Sequence, residues 1–306
     1  MSRIENCFWR QALAALAFVC VLTMAVSLFS PPARAQQPAA KQSTDEMPPP
    51  DGKAFASPEA ASAALFGAAK RNDEDAMLVI LGPGAKDVIL YDTPEARKER
   101  HQQYAQKYEQ MHRLVTEPDG TVCLYVGAEN WPVPFPIVHY KGAWYFNAEL
   151  GMKEVMFRRI GRNEVEALEV CHALVDAEND YFAAEHNYTA KFVSTSGTHD
   201  GLYWNGGSGK SPIGPYLAHA GASGPGTETR EPYHGYYYRI VMEQGSGANA
   251  NFAVVAFPAE YRTSGVMTFL MNQNGEAYEK DLGPATTAAA QKVTSFNPDS
   301  TWKKTE

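Results

Sequence analysis

Cysteine is scarce in this sequence. Four cysteines occur in 306 residues, and only Cys123 and Cys171 lie beyond the N-terminal apolar region. Two cysteines permit at most one disulfide, and the sequence has neither a C-x-x-C pair nor a Cys/His spacing typical of zinc sites. The sequence therefore excludes a disulfide-rich scaffold and a zinc centre, while it leaves open whether Cys123 and Cys171 are bonded to each other.

Basic residues are also too few for a nucleic-acid-binding protein. Lysine and arginine number 27 against 35 aspartate and glutamate residues, which gives a formal net charge of −8. Binding along a phosphate backbone needs a basic stripe, so we expect no nucleic-acid partner. The G-x-S-x-G and H-E-x-x-H motifs are absent, and the GSGK segment at 207–210 lacks the glycine spacing of a phosphate-binding loop. We predict no metal and no cofactor.

The N-terminus has the features of a secretory signal. Arg3 and Arg10 precede an apolar run over residues 12–29, and an A-x-A motif ends at Ala35. This order is typical of a cleaved signal peptide, so residues 1–35 are expected to be removed. The alternative is a retained membrane anchor, because the run is close to the length that spans a bilayer. We expect cleavage, export to the periplasm or the extracellular space, and no stable membrane span afterwards.

The next part of the chain changes from a linker to an α+β pattern. Residues 36–54 are rich in proline and glutamine and lack apolar periodicity, which is typical of a disordered linker. Within residues 55–151, Ser57 and Thr93 each precede a proline, the pattern of an N-cap followed by the first helical residue. Short segments with apolar period two follow these helices. This order predicts an N-terminal domain of helices and an antiparallel sheet.

Residues 152–306 show a different order of elements. Apolar residues at i, i+3 and i+4 predict a long helix from about residue 153 to 186, which Gly161 is expected to divide or bend. A glycine-rich loop at 206–232 precedes four strands, and the Asn-Gly pair at 274–275 is typical of a type I′ hairpin. The pattern predicts a C-terminal domain in which a long helix packs on a four-stranded antiparallel sheet.

A tyrosine-rich segment, PYHGYYYRIV, offers the strongest candidate site. On a strand, alternate side chains face opposite sides, so the tyrosines from Tyr236 onward are expected to form a strand with one buried and one half-exposed face. The segment's leading edge follows the glycine-rich loop, and amphipathic aromatic residues in a cleft suit a glycan or a peptide. The predicted ligand-binding residues are Tyr203, Trp204, Tyr233 and His234.

Catalysis at this place would depend on an imidazole. His234 is the candidate general base, because the pKa of histidine lies near neutral pH, and it would need an orienting carboxylate such as Asp200 or Glu231. The His199-Asp200 pair resembles half a metal site, but such a pair more often forms a turn in which the aspartate binds its own backbone. The glutamates and aspartates between residues 164 and 180 have helical spacing and are interpreted as a solvated face.

A second candidate site lies in the N-terminal domain. Three aromatic residues, Trp131, Trp144 and Phe146, follow or belong to its predicted strands. They would line a cavity for a small apolar molecule, or they would form the core of the domain. Because buried aromatic side chains are the common case, the core is the favoured interpretation.

Several segments together resemble a known protein family. They are FASPEAASAAL, ILGPGAKDVI, NWPVPFPIV, RRIGRNEVEAL, YTAKFVST, DGLYW, YHGYYYRI, VAFPAEYRTSGVMTFLMNQNGEAYEKDLG and FNPDSTW. These segments resemble the bacterial exported family called domain of unknown function 2950 (DUF2950), over nearly all of residues 55–302. Because no activity is established for this family, the resemblance assigns no catalytic residues. The first domain is also similar to NTF2-like folds, and the second to pilin-like folds, although no pilin processing site precedes the apolar run.

These features predict an α+β protein of two domains, NTF2-like and then pilin-like. The expected function is that of an exported envelope protein which binds or assembles without catalysis, its partner being an envelope protein, a glycan or a peptide. The alternative is a cell-envelope hydrolase that acts on a wall-derived or peptide substrate with His234 as base.

Overall fold

The computed structural model describes residues 50–204, 210–221, 230–243 and 251–305. The predicted signal peptide, most of the linker (36–49) and two parts of the glycine-rich loop (206–209 and 222–229) lie outside these residues. The described residues belong to one compact unit, Gln42–Glu306. They form an α+β structure with two antiparallel sheets, which confirms the predicted fold class. Within the described ranges, no helix is long and apolar enough to cross a membrane.

The first part of the structure is helical, as its capping residues predict. Its elements are α1 (Pro58–Lys70), α2 (Glu74–Leu81), a 3₁₀ turn (Pro83–Ala85), α3 (Lys86–Ile89) and α4 (Pro94–Gln110). Ser57 Oγ accepts a hydrogen bond from the N–H of Ala60 at 3.2 Å, and Thr93 Oγ1 accepts one from the N–H of Ala96 at 3.3 Å. Each hydroxyl satisfies a backbone donor that has no partner inside the helix, which fixes where α1 and α4 begin.

The first sheet follows α4 directly. Its strands are β1 (His112–Thr116), β2 (Val122–Val126), β3 (Trp131–Pro132), β4 (Ile137–Tyr140) and β5 (Ala143–Phe146), in the order β1-β2-β4-β5 with β3 also paired to β2. The segment NWPVPFPIV (130–138), with proline at every second position from 132 to 136, supplies the short strand β3 and the connection to β4. Proline has no backbone N–H to donate, which limits pairing here. Helices α1 and α2 pack against this sheet over a shared apolar core.

One continuous helix joins the two sheets. Helix α5 (Ala148–Glu185) has 38 residues, so the predicted division into two helices at Gly161 is wrong. Gly161 is exposed, and a methyl group there would have no neighbour within 4 Å, so no contact forces a bend. The predicted domain boundary at residue 151 lies inside this helix, where Gly151 is packed so closely that a β-carbon would lie 2.1 Å from the ring of Phe135.

The second sheet has five strands rather than the four predicted. After α5 come α6 (Pro215–Ala220), β6 (Tyr236–Met242), β7 (Phe252–Pro258), β8 (Met267–Asn272), β9 (Ala277–Asp281), α7 (Thr286–Ala290) and β10 (Lys303–Lys304). The strand order is β10-β9-β8-β7-β6, with antiparallel pairing throughout. Two lysines give no apolar alternation, so β10 had no signal in the sequence.

Both faces of β6 are covered. Tyr236 and Tyr238 are fully buried and Ile240 is 5% exposed, all in the core beneath α5. The opposite face is partly exposed at Tyr237 and Arg239, as predicted, and it also packs against the C-terminal segment, where Arg239 Nη1 donates to the carbonyl of Ala290 at 2.6 Å. Trp302 is partly buried in that same cluster. The tyrosine run is therefore a structural strand.

The two cysteines are not bonded to each other. Cys123 lies on β2 of the first sheet, whereas Cys171 is fully buried on α5. Burial raises the pKa of the Cys171 thiol above its usual range. Cys171 therefore behaves as a small apolar side chain of the core.

Candidate functional site

The residues at the leading edge of β6 form a tight reverse turn. The N–H of Tyr233 donates to the carbonyl of Tyr236 at 3.0 Å, and the N–H of Tyr236 donates to the carbonyl of Tyr233 at 3.1 Å. The two residues between them, His234 and Gly235, have φ angles of 51° and 75°. Positive φ at both central residues is the requirement of a type I′ turn. The structure thus places a type I′ turn at His-Gly.

The Asn-Gly pair at 274–275 forms a hairpin of another kind. Gly275 has a φ of 80°, but Asn274 is not among the residues with positive φ. The connection is longer than two residues, because the N–H of Asn272 bonds to the carbonyl of Glu276 at 3.0 Å. The prediction of a hairpin is confirmed, and the predicted turn type is wrong.

The turn directs His234 onto the long helix. Nδ1 of His234 lies 2.8 Å from Oε2 of Glu166 on α5, and the two side chains are 37% and 31% exposed. The ring of Tyr233 contacts the imidazole edge-on, with 4.1 Å between ring centroids. A carboxylate at Nδ1 orients the ring and favours the tautomer whose other nitrogen, Nε2, accepts a hydrogen bond. The arrangement is thus a half-exposed imidazole in a fixed orientation.

Neighbouring residues of α5 hold the turn and the β7–β8 loop together. Asn163 Nδ2 donates to the carbonyl of Ser264 at 2.7 Å, and Glu164 Oε1 accepts from the N–H groups of Val266 and Met267 at 2.8 and 3.0 Å. The turn lies so close to this helix that a β-carbon on Gly235 would be 2.4 Å from Asn163 Nδ2. Glycine is thus required there by contact as well as by φ. We name Asn163, Glu164 and Glu166 the helix anchor.

Asp200 does not orient His234. Its carboxylate accepts hydrogen bonds from the N–H of Thr195 at 2.7 Å and from Thr198 Oγ1 at 2.9 Å, and it forms an ion pair with Lys191. Lys191 first, and then the Thr195 N–H, hold the pKa of this carboxyl well below its usual range. The interpretation of Asp200 as a turn residue is therefore supported, and the orienting carboxylate comes from Glu166 instead of Asp200 or Glu231.

Tyr203 and Trp204 lie with Asp200 in a separate group. The N–H of Tyr203 donates to the carbonyl of Phe192 at 2.8 Å, and the ring of Trp204 stacks on His199 with 4.2 Å between centroids. Both aromatic side chains pack on the core beneath α5. In the described parts of the chain, no hydrogen bond, ion pair or ring contact joins this group to His234. Tyr203, Trp204 and Tyr233 pack on this same core, the first two from the segment after α5 and Tyr233 from the turn before β6.

Glu178, near the C-terminal end of α5, is buried, whereas the sequence predicted that its carboxylate is solvated. Glu178 is fully buried, its Oε2 accepts from the N–H of Thr189 at 3.1 Å, and its Oε1 has no hydrogen-bond partner among the described residues. Burial raises the pKa of Glu178 to about 8, an effect that the bond from Thr189 partly offsets. The sequence signal was its position on the apolar stripe with Leu174, Val175 and Tyr181.

The aromatic residues of the first sheet are mainly core. Phe146 is fully buried, and Trp144 packs against the same cluster. Trp131 is 40% exposed, with the guanidinium of Arg158 lying 5.2 Å from its ring centroid. The predicted core role therefore applies to Phe146 and Trp144, whereas Trp131 lies at the surface.

An open polar groove of about 410 Å³ lies between α2 and α4. It is lined by Asn72, Asp73, Glu74, Asp75, Pro94 and Arg97. Arg97 binds Glu74 through two nitrogen atoms, at 2.7 and 3.3 Å, so these two charges neutralise each other. Among the described residues, no group of three or more His, Cys, Asp or Glu side chains is arranged to hold a metal ion.

A comparison with known protein families supports the resemblance of these sequence segments. The model of a family described as "Protein of unknown function (DUF2950)" matches residues 52–305. The chain belongs to the DUF2950 family. No curated protein and no solved structure matches the chain. In this DUF2950 protein, the family segments RRIGRNEVEAL and YHGYYYRI contain the helix anchor and the type I′ turn, so these segments meet at one place.

Proposed function

We propose that this DUF2950 protein is an exported envelope protein that binds a peptide or glycan through the junction of the type I′ turn and α5. The observation that carries the proposal is the half-exposed His234, fixed by Glu166 beside the ring of Tyr233. The imidazole can form a hydrogen bond with a polar group of a ligand, and the neighbouring tyrosine ring can pack against an apolar part of the same ligand. The turn and the helix anchor hold both groups in place, which lowers the entropy lost on binding.

Export is the part of the proposal that rests on the N-terminal sequence. The two arginines, the apolar run and the A-x-A motif support it. When the full-length gene is expressed in a bacterium, we expect the protein outside the cytoplasm, with Gln36 as its first residue. N-terminal sequencing of the fractionated protein tests this, and an intact N-terminus in the cytoplasmic fraction would contradict it.

Ligand binding should depend on the imidazole. We expect soluble cell-wall glycan or peptide fragments to raise the melting temperature of the wild-type protein, and the shift to disappear in His234→Asn. Asparagine is chosen because it tolerates positive φ better than most residues, so the turn is kept. His172→Gln, at an exposed position of α5, is the matched control and should keep the shift. A shift that survives in His234→Asn, or no shift with any fragment, would contradict the proposal.

A hydrolase is the second candidate, because Glu166 occupies the position of an orienting carboxylate at Nδ1 of His234. The same fragments decide between the two functions when their products are analysed by mass spectrometry. Cleavage that His234→Asn abolishes without lowering the melting temperature would favour the hydrolase. Binding with unchanged fragments favours the binding module.

A further inference from the structure

Two arginines of α5 lie on the same side of the helix as Glu166. Arg162 is one helical turn before Glu166, and Arg159 is two turns before it, so the three residues share a face. Side chains of a helix lean towards its N-terminus, so the carboxylate of Glu166 and the imidazole of His234 lie over the turn that contains Arg162. We name Arg159 and Arg162 the arginine pair. The pair is thus next to the type I′ turn.

The side chains of the arginine pair have no partner within the described ranges. Both residues are exposed, and no hydrogen bond, ion pair or ring contact engages either guanidinium there. The neighbouring Arg158, by contrast, binds Glu154 Oε1 at 2.8 Å and the carbonyl of Pro132 at 2.7 Å. Every other arginine in those ranges also has a carboxylate, amide, carbonyl or aromatic partner. Two unpaired guanidinium groups distinguish this face in a chain of net charge −8.

The arginine pair is unfavourable to the helix by itself. Arg159 and Arg162 are three residues apart, the spacing at which like charges on a helix repel each other. The nearest carboxylate on this face, that of Glu166, already contacts His234. An anion bound by the two guanidinium groups would remove the repulsion. A carboxylate suits them well, because a guanidinium can donate two parallel hydrogen bonds to its two oxygen atoms.

We propose that the ligand of the His234 site is a peptide whose C-terminal carboxylate binds the arginine pair. This inference rests on the proposed function and narrows its ligand, because a peptide always ends in a carboxylate, whereas a neutral glycan has no charge for the pair to bind. A helical turn rises about 5.4 Å, and an extended residue spans about 3.3 Å. The last two residues of the peptide therefore reach from the arginine pair to His234, where a peptide N–H donates to Nε2 and a side chain packs on Tyr233.

Melting temperatures measured with two libraries of N-acetylated tripeptides test this proposal. Both libraries lack aspartate and glutamate, and they differ only in ending with a free carboxylate or with an amide. We expect the free-acid library to raise the melting temperature of the wild-type protein, and the amide library to give a much smaller shift. Arg159→Gln and Arg162→Gln should each remove most of the free-acid shift and keep the melting temperature without peptide. Arg71→Gln, which removes an exposed positive charge at the end of α1, is the matched control and should keep the shift.

The results distinguish this proposal from the proposed function. Equal shifts with the two libraries, or a free-acid shift that both arginine variants keep and His234→Asn loses, would overturn the role of the arginine pair and leave the His234 site standing. A shift that the arginine variants lose and His234→Asn keeps would support the carboxylate site and contradict the role of His234. An equal shift with inorganic phosphate, or shifts with neutral glycan fragments alone, would overturn the peptide as ligand. No shift with any of these probes would overturn both proposals.

Discussion

Replacing Glu178 with glutamine is expected to stabilise the protein by roughly 5 kcal/mol at pH 9 and to have little effect at pH 4. The reason is that the Glu178 side chain is fully buried and one of its oxygen atoms has no partner among the described residues. A buried carboxylate loses its hydration, and a single N–H donor, that of Thr189, replaces little of it. Glutamine has nearly the same shape and remains uncharged at every pH.

The pH dependence follows from the pKa of Glu178 in the two states. Burial raises this pKa from its ordinary value of 4.5 to about 8 in the folded protein. Below pH 4.5 the carboxyl is protonated in both states, and it costs no stability. Between pH 4.5 and 8 only the unfolded chain loses the proton, so the free energy of unfolding falls as the pH rises. Above pH 8 the loss is complete and constant.

Urea unfolding at pH 4, 6.5 and 9 measures the difference between wild type and Glu178→Gln. The amide oxygen of glutamine still accepts from Thr189, so the segment after α5 should keep its position. Glu169→Gln, at an exposed site of the same helix, is the control and should leave the stability of the protein almost unchanged at each pH. Equal pH dependence in wild type and Glu178→Gln would show that Glu178 is ionised in the folded protein.

The sequence predicted those features that depend only on residues close together in the chain, such as helix starts and the faces of strands. Ser57 and Thr93 begin helices because a hydroxyl at the N-cap satisfies a donor three residues away. Tyr236 and Tyr238 share a face because strand side chains alternate. The predicted division at Gly161 was wrong because the helix-propensity cost of glycine, about 1 kcal/mol, is small for a helix of 38 residues whose buried face packs on the second sheet.

The site could not be predicted because it depends on contacts between residues far apart in sequence. Glu166 looked like any other exposed glutamate of α5 until the turn at His234 placed an imidazole 2.8 Å from it. Asp200 has a histidine beside it in sequence, yet its partners are Lys191, Thr195 and Thr198. Spacing indicates which residues share a face of one element, but not which loop packs on that face.

Removing the side chain of Glu164 is expected to cost about 2–4 kcal/mol of stability, whereas removing that of Glu166 should cost less than about 1 kcal/mol. Glu164 Oε1 is the shared acceptor of two part-buried backbone N–H groups, those of Val266 and Met267, at the start of β8. Glu164→Ala leaves both donors without this acceptor. Glu166 contacts a half-exposed imidazole, and water can replace that contact.

Glutamine variants show whether the stabilising effect of Glu164 depends on its charge or on the position of its oxygen atom. Glu164→Gln keeps an oxygen at the same position and should retain most of the stability. The pKa of Glu279 on β9 is raised by burial and then by the charge of Glu164, so the neutral amide also relieves an unfavourable pair. Thermal and urea unfolding of the alanine and glutamine variants measure these differences.

The two glutamates should have the opposite order of importance for ligand binding: Glu166 should matter more than Glu164. This reversal is a sharper test than the stability difference alone. Glu166→Ala should fold normally and lose the ligand-induced shift in melting temperature, because the imidazole of His234 is no longer oriented. Glu164→Gln should keep the full shift. If Glu166→Ala were as unstable as Glu164→Ala, Glu166 would be a structural anchor like its neighbour, and the site would reduce to a packing contact between the turn and α5.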